Sequence, residues 1–186
     1  TNKDAITVSG SADPGSTVQI FVANVLVSEV AASKTTGEFS TPSKVSLSGG
    51  INRITALALD SVGNKGEMSE PLDVQLDKIP PVTIVENMPK GWQKESVTVN
   101  LKAIDEEGGS GVFLTYYTTD GSVPTTASMK YVQGIELSED GVYLLKFFSQ
   151  DKAGNIESVK QAADFIRIDK TVPTLRINAV SYTHLT

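Results

Sequence analysis

Two stretches of the chain close on the same phrase. Asp60-Ser61-Val62-Gly63-Asn64 is followed by Asp77-Lys78-Ile79-Pro80, and Asp151-Lys152-Ala153-Gly154-Asn155 is followed by Asp169-Lys170-Thr171-Val172-Pro173. The offsets between the copies, 91 and 92 residues, define a unit large enough to close its own core, unlike the short repeat of a solenoid. The expected division is residues 1–78, residues 79–170, and a remainder of 171–186. Between the first two, Asp77-Lys78-Ile79-Pro80-Pro81 forms a spacer. Proline fixes its own φ and biases the residue before it toward extended backbone, so the spacer is short and stiff.

Within each copy, short runs of Val, Ile, Thr and Tyr recur about every ten residues with Gly, Pro, Asp and Ser between them, the spacing of an all-β sandwich. Strands are expected over 5–9, 17–22, 26–31, 38–41, 44–47, 52–59 and 71–76, and over 82–86, 96–104, 113–119, 130–132, 135–137, 142–150 and 163–168. No comparable window holds a helical period. Asp13-Pro14-Gly15-Ser16 and Asp120-Gly121 supply turn chemistry at the breaks. The fold expected is all-β, two tandem immunoglobulin-like β-sandwiches, with Thr174-Leu175-Arg176-Ile177 as the first strand of a third unit. Ala179–Thr186, which includes the lone His184, fits no strand of that unit and reads as a non-native tail.

Glu139-Asp140-Gly141-Val142-Tyr143-Leu144-Leu145 has the pattern of a tyrosine corner, in which the phenol hydroxyl bonds backbone upstream of its strand. Alternation then points Tyr143, Leu145 and Phe147 inward and Lys146 outward. In the first copy Asn52 stands where the tyrosine would be, so an amide is expected to close that corner.

The acidity is spread evenly, with net charges of −3 over 1–78 and −4 over 79–170. Without a basic stripe, a nucleic-acid partner is not expected. No apolar run is long enough to span a bilayer, so membrane insertion is not expected either. The chain has no Cys, which removes disulfides, thiolate metal sites and Cys nucleophiles together. Thr1-Asn2-Lys3-Asp4 leads directly into a strand pattern, which reads as a piece of a longer chain.

Ile6-Thr7-Val8-Ser9-Gly10-Ser11-Ala12-Asp13-Pro14-Gly15-Ser16-Thr17-Val18 with Asp60-Ser61-Val62-Gly63-Asn64 resembles bacterial immunoglobulin-like (Big-type) repeats. The second unit resembles the immunoglobulin-like module at the C-terminus of chitobiase and hexosaminidase. That likeness rests on Gly91-Trp92, Gly109-Ser110-Gly111-Val112, Tyr116-Tyr117-Thr118-Thr119-Asp120-Gly121-Ser122-Val123-Pro124-Thr125 and Asp151-Lys152-Ala153-Gly154-Asn155. The resemblance implies a secreted or surface-displayed multidomain parent; such modules accompany adhesins, wall proteins and glycoside hydrolases alike.

Several residues admit a functional reading. The Asp-x-x-Gly-Asn turns (Asp60, Gly63, Asn64 and Asp151, Gly154, Asn155) could offer oxygens to calcium, but one turn supplies about two of the six to eight that calcium takes; the expected role is closing a hairpin. Asp105, Glu106 and Glu107 with Asp77 or Asp169 form a second calcium candidate, at a unit junction. Trp92 is expected to cover the end of the core, with sugar stacking as the alternative. Of Tyr116 and Tyr117, one is expected to face outward. No Gly-x-Ser-x-Gly elbow, phosphate loop or His-Glu-x-x-His occurs, and neither unit contains a His to act as base.

The expectation is therefore no catalytic residue, no resident cofactor or metal apart from the calcium candidates, and a spacer or stalk role in an extracellular protein. Its partners are the neighbouring domains of the parent chain. The alternatives are an accessory carbohydrate-binding module of a secreted glycoside hydrolase, taking polysaccharide, or an adhesin module taking a host surface protein.

Overall fold

The computed structural model describes residues 1–178; Ala179–Thr186, with His184, lie outside the described residues. Among the described residues every regular element is a strand. Before the spacer these are β1 (Ala5–Ile6), β2 (Ser9–Ser11), β3 (Thr17–Val22), β4 (Val25–Ala31), β5 (Glu38–Ser40), β6 (Val45–Ser46), β7 (Gly50–Leu59), β8 (Lys65–Met68) and β9 (Leu72–Leu76). After it come β10 (Val82–Val85), β11 (Trp92–Gln93), β12 (Val97–Val99), β13 (Leu101–Ile104), β14 (Val112–Thr118), β15 (Met129–Lys130), β16 (Ile135–Leu137), β17 (Gly141–Tyr143), β18 (Lys146–Asp151), β19 (Lys160–Gln161) and β20 (Ile166–Ile168). No sheet joins β1–β9 to β10–β20.

In the first group, β4-β3-β7-β8 form one layer, with β9 also on β7, and the β1-β6 and β2-β5 pairs form the other. Val18, Ile20, Ile54 and Leu76 meet Leu47 between the layers, with Ile6, Val8 and Phe39 packed against them. In the second group, β15-β14-β18-β19 faces the β10-β13 and β12-β16 pairs. Val99, Leu101, Ile135, Leu137, Leu145, Phe147, Ile166 and Ile168 form that core. The second and last strands of this group, β11 and β20, pair in parallel, while β17 lies antiparallel on the other side of β20. Both groups are immunoglobulin-like β-sandwiches.

Three of the expected long strands are each two short ones, because a side chain or a single peptide changes the pairing partner midway. Residues 5–9 break where Thr41 Oγ1 accepts the Val8 N–H and Thr41 N–H donates to the Val8 carbonyl, so the chain passes from β6 to β5. Residues 96–104 break where the Asn87 amide bonds the Thr98 carbonyl at 2.7 Å and the Asn100 N–H at 2.6 Å. Residues 142–150 break at Leu144, which exchanges backbone bonds with Thr119 and Gly121 instead of β20. β8, β11 and β19 were not expected; they are short and lack apolar alternation, which removes the signal that marks a strand.

Thr174-Leu175-Arg176-Ile177 is not a strand: among the described residues it has no ladder partner, and strand geometry is held by such pairing. Alternation also fails along β18. Tyr143, Leu145 and Phe147 lie on the core, but Lys146 is half-buried and Phe148 is buried on the opposite face. There Phe148 stacks on Tyr116 with ring centroids 5.1 Å apart. Tyr117 packs against the core from the other face, so neither tyrosine of the pair stands free.

Candidate functional site

Both copies of the Asp-x-x-Gly-Asn phrase close a hairpin. Asp60 Oδ1 accepts the Val62 and Asn64 N–H groups at 2.9 and 2.8 Å, and Oδ2 accepts the Asn64 amide at 2.7 Å. Asp151 Oδ1 accepts the Gly154 and Asn155 N–H groups at 2.6 and 2.8 Å, and Oδ2 accepts the Asn155 amide at 2.7 Å. Gly63 and Gly154 have φ of 90° and 98°, where a side chain is strained. The hydrogen bonds from Asn64, then those from the turn backbone, hold the Asp60 carboxyl below its ordinary range.

The copies differ in what their asparagine does next. Asn155 reaches out of its turn to the spacer, donating to the Asp77 carbonyl at 2.9 Å. Asp77 is only 4% exposed. Its Oδ1 accepts the Ile79 N–H at 3.0 Å and its Oδ2 accepts the Ser110 N–H at 2.6 Å. One spacer residue thus holds both loops, 105–111 and 151–155, at the near end of the second sandwich. From the first sandwich, Gln75 on β9 donates to the Gly108 carbonyl at 2.7 Å, and Lys78 pairs with Asp4 at 2.9 Å.

The same place gathers acids. The carboxyls of Asp77, Asp105 and Glu106 each offer an oxygen within 4.8 Å of the others. Of the five acids expected at a junction site, Glu107 stays exposed and Asp169 sits at the far end, accepting the Thr171 N–H. Asp105 accepts the Gly111 N–H at 2.6 Å. Glu106 Oε2 is buried with no hydrogen-bond partner among the described residues.

Loss of solvation raises the Glu106 carboxyl above the ordinary 4.5; its own backbone opposes this, and the Asp105 and Asp77 charges add to the rise. Burial pushes Asp77 upward, but hydrogen bonds from Ser110 and then Ile79 outweigh it and leave the group below 3.8. The three residues bring hard oxygen donors together, fewer than the six to eight oxygens of a calcium shell.

Trp92 does not cover the core. It is 62% exposed, because the β11 register sets Trp92, Arg167 and Val142 side by side on the outer face while Gln93, Ile168 and Gly141 form the next row. Ile168 of that second row is the residue that enters the core. Met88, four residues before Trp92, packs on the core instead.

The fold and the junction together define a pair of immunoglobulin-like modules joined by a bonded spacer. Residues 89–161 match the family model of the chitobiase/beta-hexosaminidase C-terminal domain, and the second sandwich is an immunoglobulin-like, non-catalytic module resembling that domain. Over 173 residues, 92% of its length, the chain is 30% identical to Bacillopeptidase F of Bacillus subtilis (strain 168), of which it spans 11%. Among solved structures, it is similar to the fibronectin(III)-like modules of Clostridium thermocellum CbhA, with a TM-score of 0.49 at 18% identity, covering 94% of this chain and 92% of that one.

Proposed function

We propose that this chain is a non-catalytic spacer in an extracellular multidomain protein, holding its neighbours in the parent chain at a set separation and orientation. The observation that carries the reading is the burial of Asp77. A spacer that only connected two domains would leave its side chains in water, and its units would move independently. Here the spacer acid is locked into the second sandwich by Ser110 and Asn155, and Gln75 bridges from the first. The likeness to a segment of a much longer peptidase, and to a C-terminal module of glycosidases, supports placement beside a catalytic domain. ¹⁵N relaxation tests this: the two units are expected to share one rotational correlation time, and Asp77→Ala to give two. Separate tumbling in the unsubstituted protein would refute the spacer.

The exposed Trp92 supports a second reading, contact with a glycan. An exposed indole on a sheet face beside Arg167 has the form of a stacking platform for a sugar ring. Retention on insoluble polysaccharide that Trp92→Ala abolishes, and Tyr117→Ala leaves intact, would favour it.

A further inference from the structure

Glu157 lies in the loop between β18 and β19 with 5% of its side chain exposed. Its Oε1 accepts the Ser149 N–H at 2.8 Å and the Thr83 hydroxyl. Its Oε2 accepts the Thr83 N–H at 3.1 Å and the Lys160 ammonium at 2.9 Å. Lys160 also donates to the Thr83 carbonyl at 3.0 Å. The Ser149 hydroxyl continues the network, 2.6 Å from the hydroxyls of both Thr83 and Thr115.

Both polar groups of one peptide residue in β10 are therefore held by two oppositely charged side chains from the far end of the unit's sequence. Among the described residues β10 has a single ladder partner, β13. Toward β18 and β19, the described bonds of β10 are those of this network. Pro80 and Pro81 immediately precede the strand, so tension passing through the spacer, once Asp77 has left Ser110 and Asn155, arrives at Val82 and next at Thr83. Strand β10 cannot be drawn out of the second sandwich until Glu157 and Lys160 release it. The first unit has no counterpart. At the offset of 91 that aligns Asp60 with Asp151, Glu157 falls on Gly66, Lys160 on Ser69 and Ser149 on Ala58.

We propose that Glu157 and Lys160 form a charged clamp on β10 that makes the second unit the mechanically stronger of the two, so that the first yields before it under tension. Hydrogen bonds to charged groups are stronger than neutral ones, and removing one partner of a buried pair leaves the other charge uncompensated. The clamp deepens the spacer reading and rests on it only for its use in the parent protein. Failure of that reading appears as separate tumbling of the units, and failure of the clamp appears in the force required to unfold the second one.

Constant-force extension of the chain from its two ends tests the clamp, the two steps being told apart by contour lengths of 78 and 92 residues. In the unsubstituted protein the shorter step is expected first. Glu157→Gln should speed the longer step at least about tenfold and leave the shorter one unchanged. Because the chain has no Cys, a handle on Val132→Cys, in an exposed loop, can pull the second unit without loading β10. From there Glu157→Gln should change the rate less than about twofold, on the tenfold-per-1.4 kcal/mol scale. If Glu157→Gln does not fold, Lys160→Met, at a side chain 34% exposed, removes the bond to the Thr83 carbonyl and is read in the same two geometries. An unchanged rate when pulled from the ends, equal acceleration in both geometries, or the longer step coming first would each overturn the clamp.

Discussion

Two residues at equivalent places close the same corner by different chemistry. The Tyr143 hydroxyl donates to the Glu139 carbonyl at 2.8 Å, four residues upstream. Asn52 donates to the Ser48 carbonyl at 2.7 Å, also four residues upstream, and accepts the Ser48 N–H at 2.8 Å. It further reaches the Gly50 and Val74 carbonyls at 3.1 and 3.3 Å. An amide carries both donor and acceptor, so Asn52 satisfies more backbone than a phenol can. Asn52→Ala strands several buried groups and should cost about 2–3 kcal/mol in urea unfolding, whereas Tyr143→Phe, which loses one bond at a half-buried site, should cost about 1 kcal/mol. Both corners are legible in sequence because each sits at a fixed offset from an acidic or Gly-rich turn. Trp92 is misread there because burial tendency belongs to the residue type while the face it occupies is set by the β11–β20 register. Glu157 looks like any loop acid until the fold brings Thr83 to it.

At the level of elements, the turns were legible and the strand ends were not. Gly, Asp and Asn in a fixed order encode a turn locally, but the partner changes at Val8, Asn100 and Leu144 are decided by residues distant in the chain, such as Thr41 and Asn87. The glycines test how tightly these turns are held. A Cβ at Gly154 would meet only the end of the Asn2 side chain, at 3.6 Å, so Gly154→Ala should cost just the left-handed penalty, about 1–2 kcal/mol. A Cβ at Gly37, whose φ is 74°, would lie 2.1 Å from the Ala12 carbonyl oxygen, across the backbone bond between those residues. Gly37→Ala must break that contact as well, and its loss in chemical denaturation should clearly exceed that of Gly154→Ala. Equal losses would mean that the β4–β5 turn gives way freely.

For the whole molecule, the repeat made two units legible, but not the bonds between them, since Asp77 reads in sequence as an ordinary spacer acid. Its setting predicts a pH dependence. The Glu106 carboxyl binds its proton more tightly folded than unfolded, so the stability it contributes is complete below 4.5 and is lost as pH rises through its higher folded value. Asp77 works in the opposite sense: its contribution is present above 3.8 and is lost as pH falls through its lower folded value. Glu106→Gln should therefore raise the melting temperature at pH 7 and flatten its decline above 4.5; a decline as steep as before would place the responsible group elsewhere.

The central claim is that the spacer is built into the second sandwich. Spin labels on Val62→Cys and Val132→Cys, both on exposed turns, measure this directly by pulsed electron–electron distance distributions. A single narrow distance that broadens in Asp77→Ala is the predicted result, and a distribution already broad with Asp77 in place would contradict it.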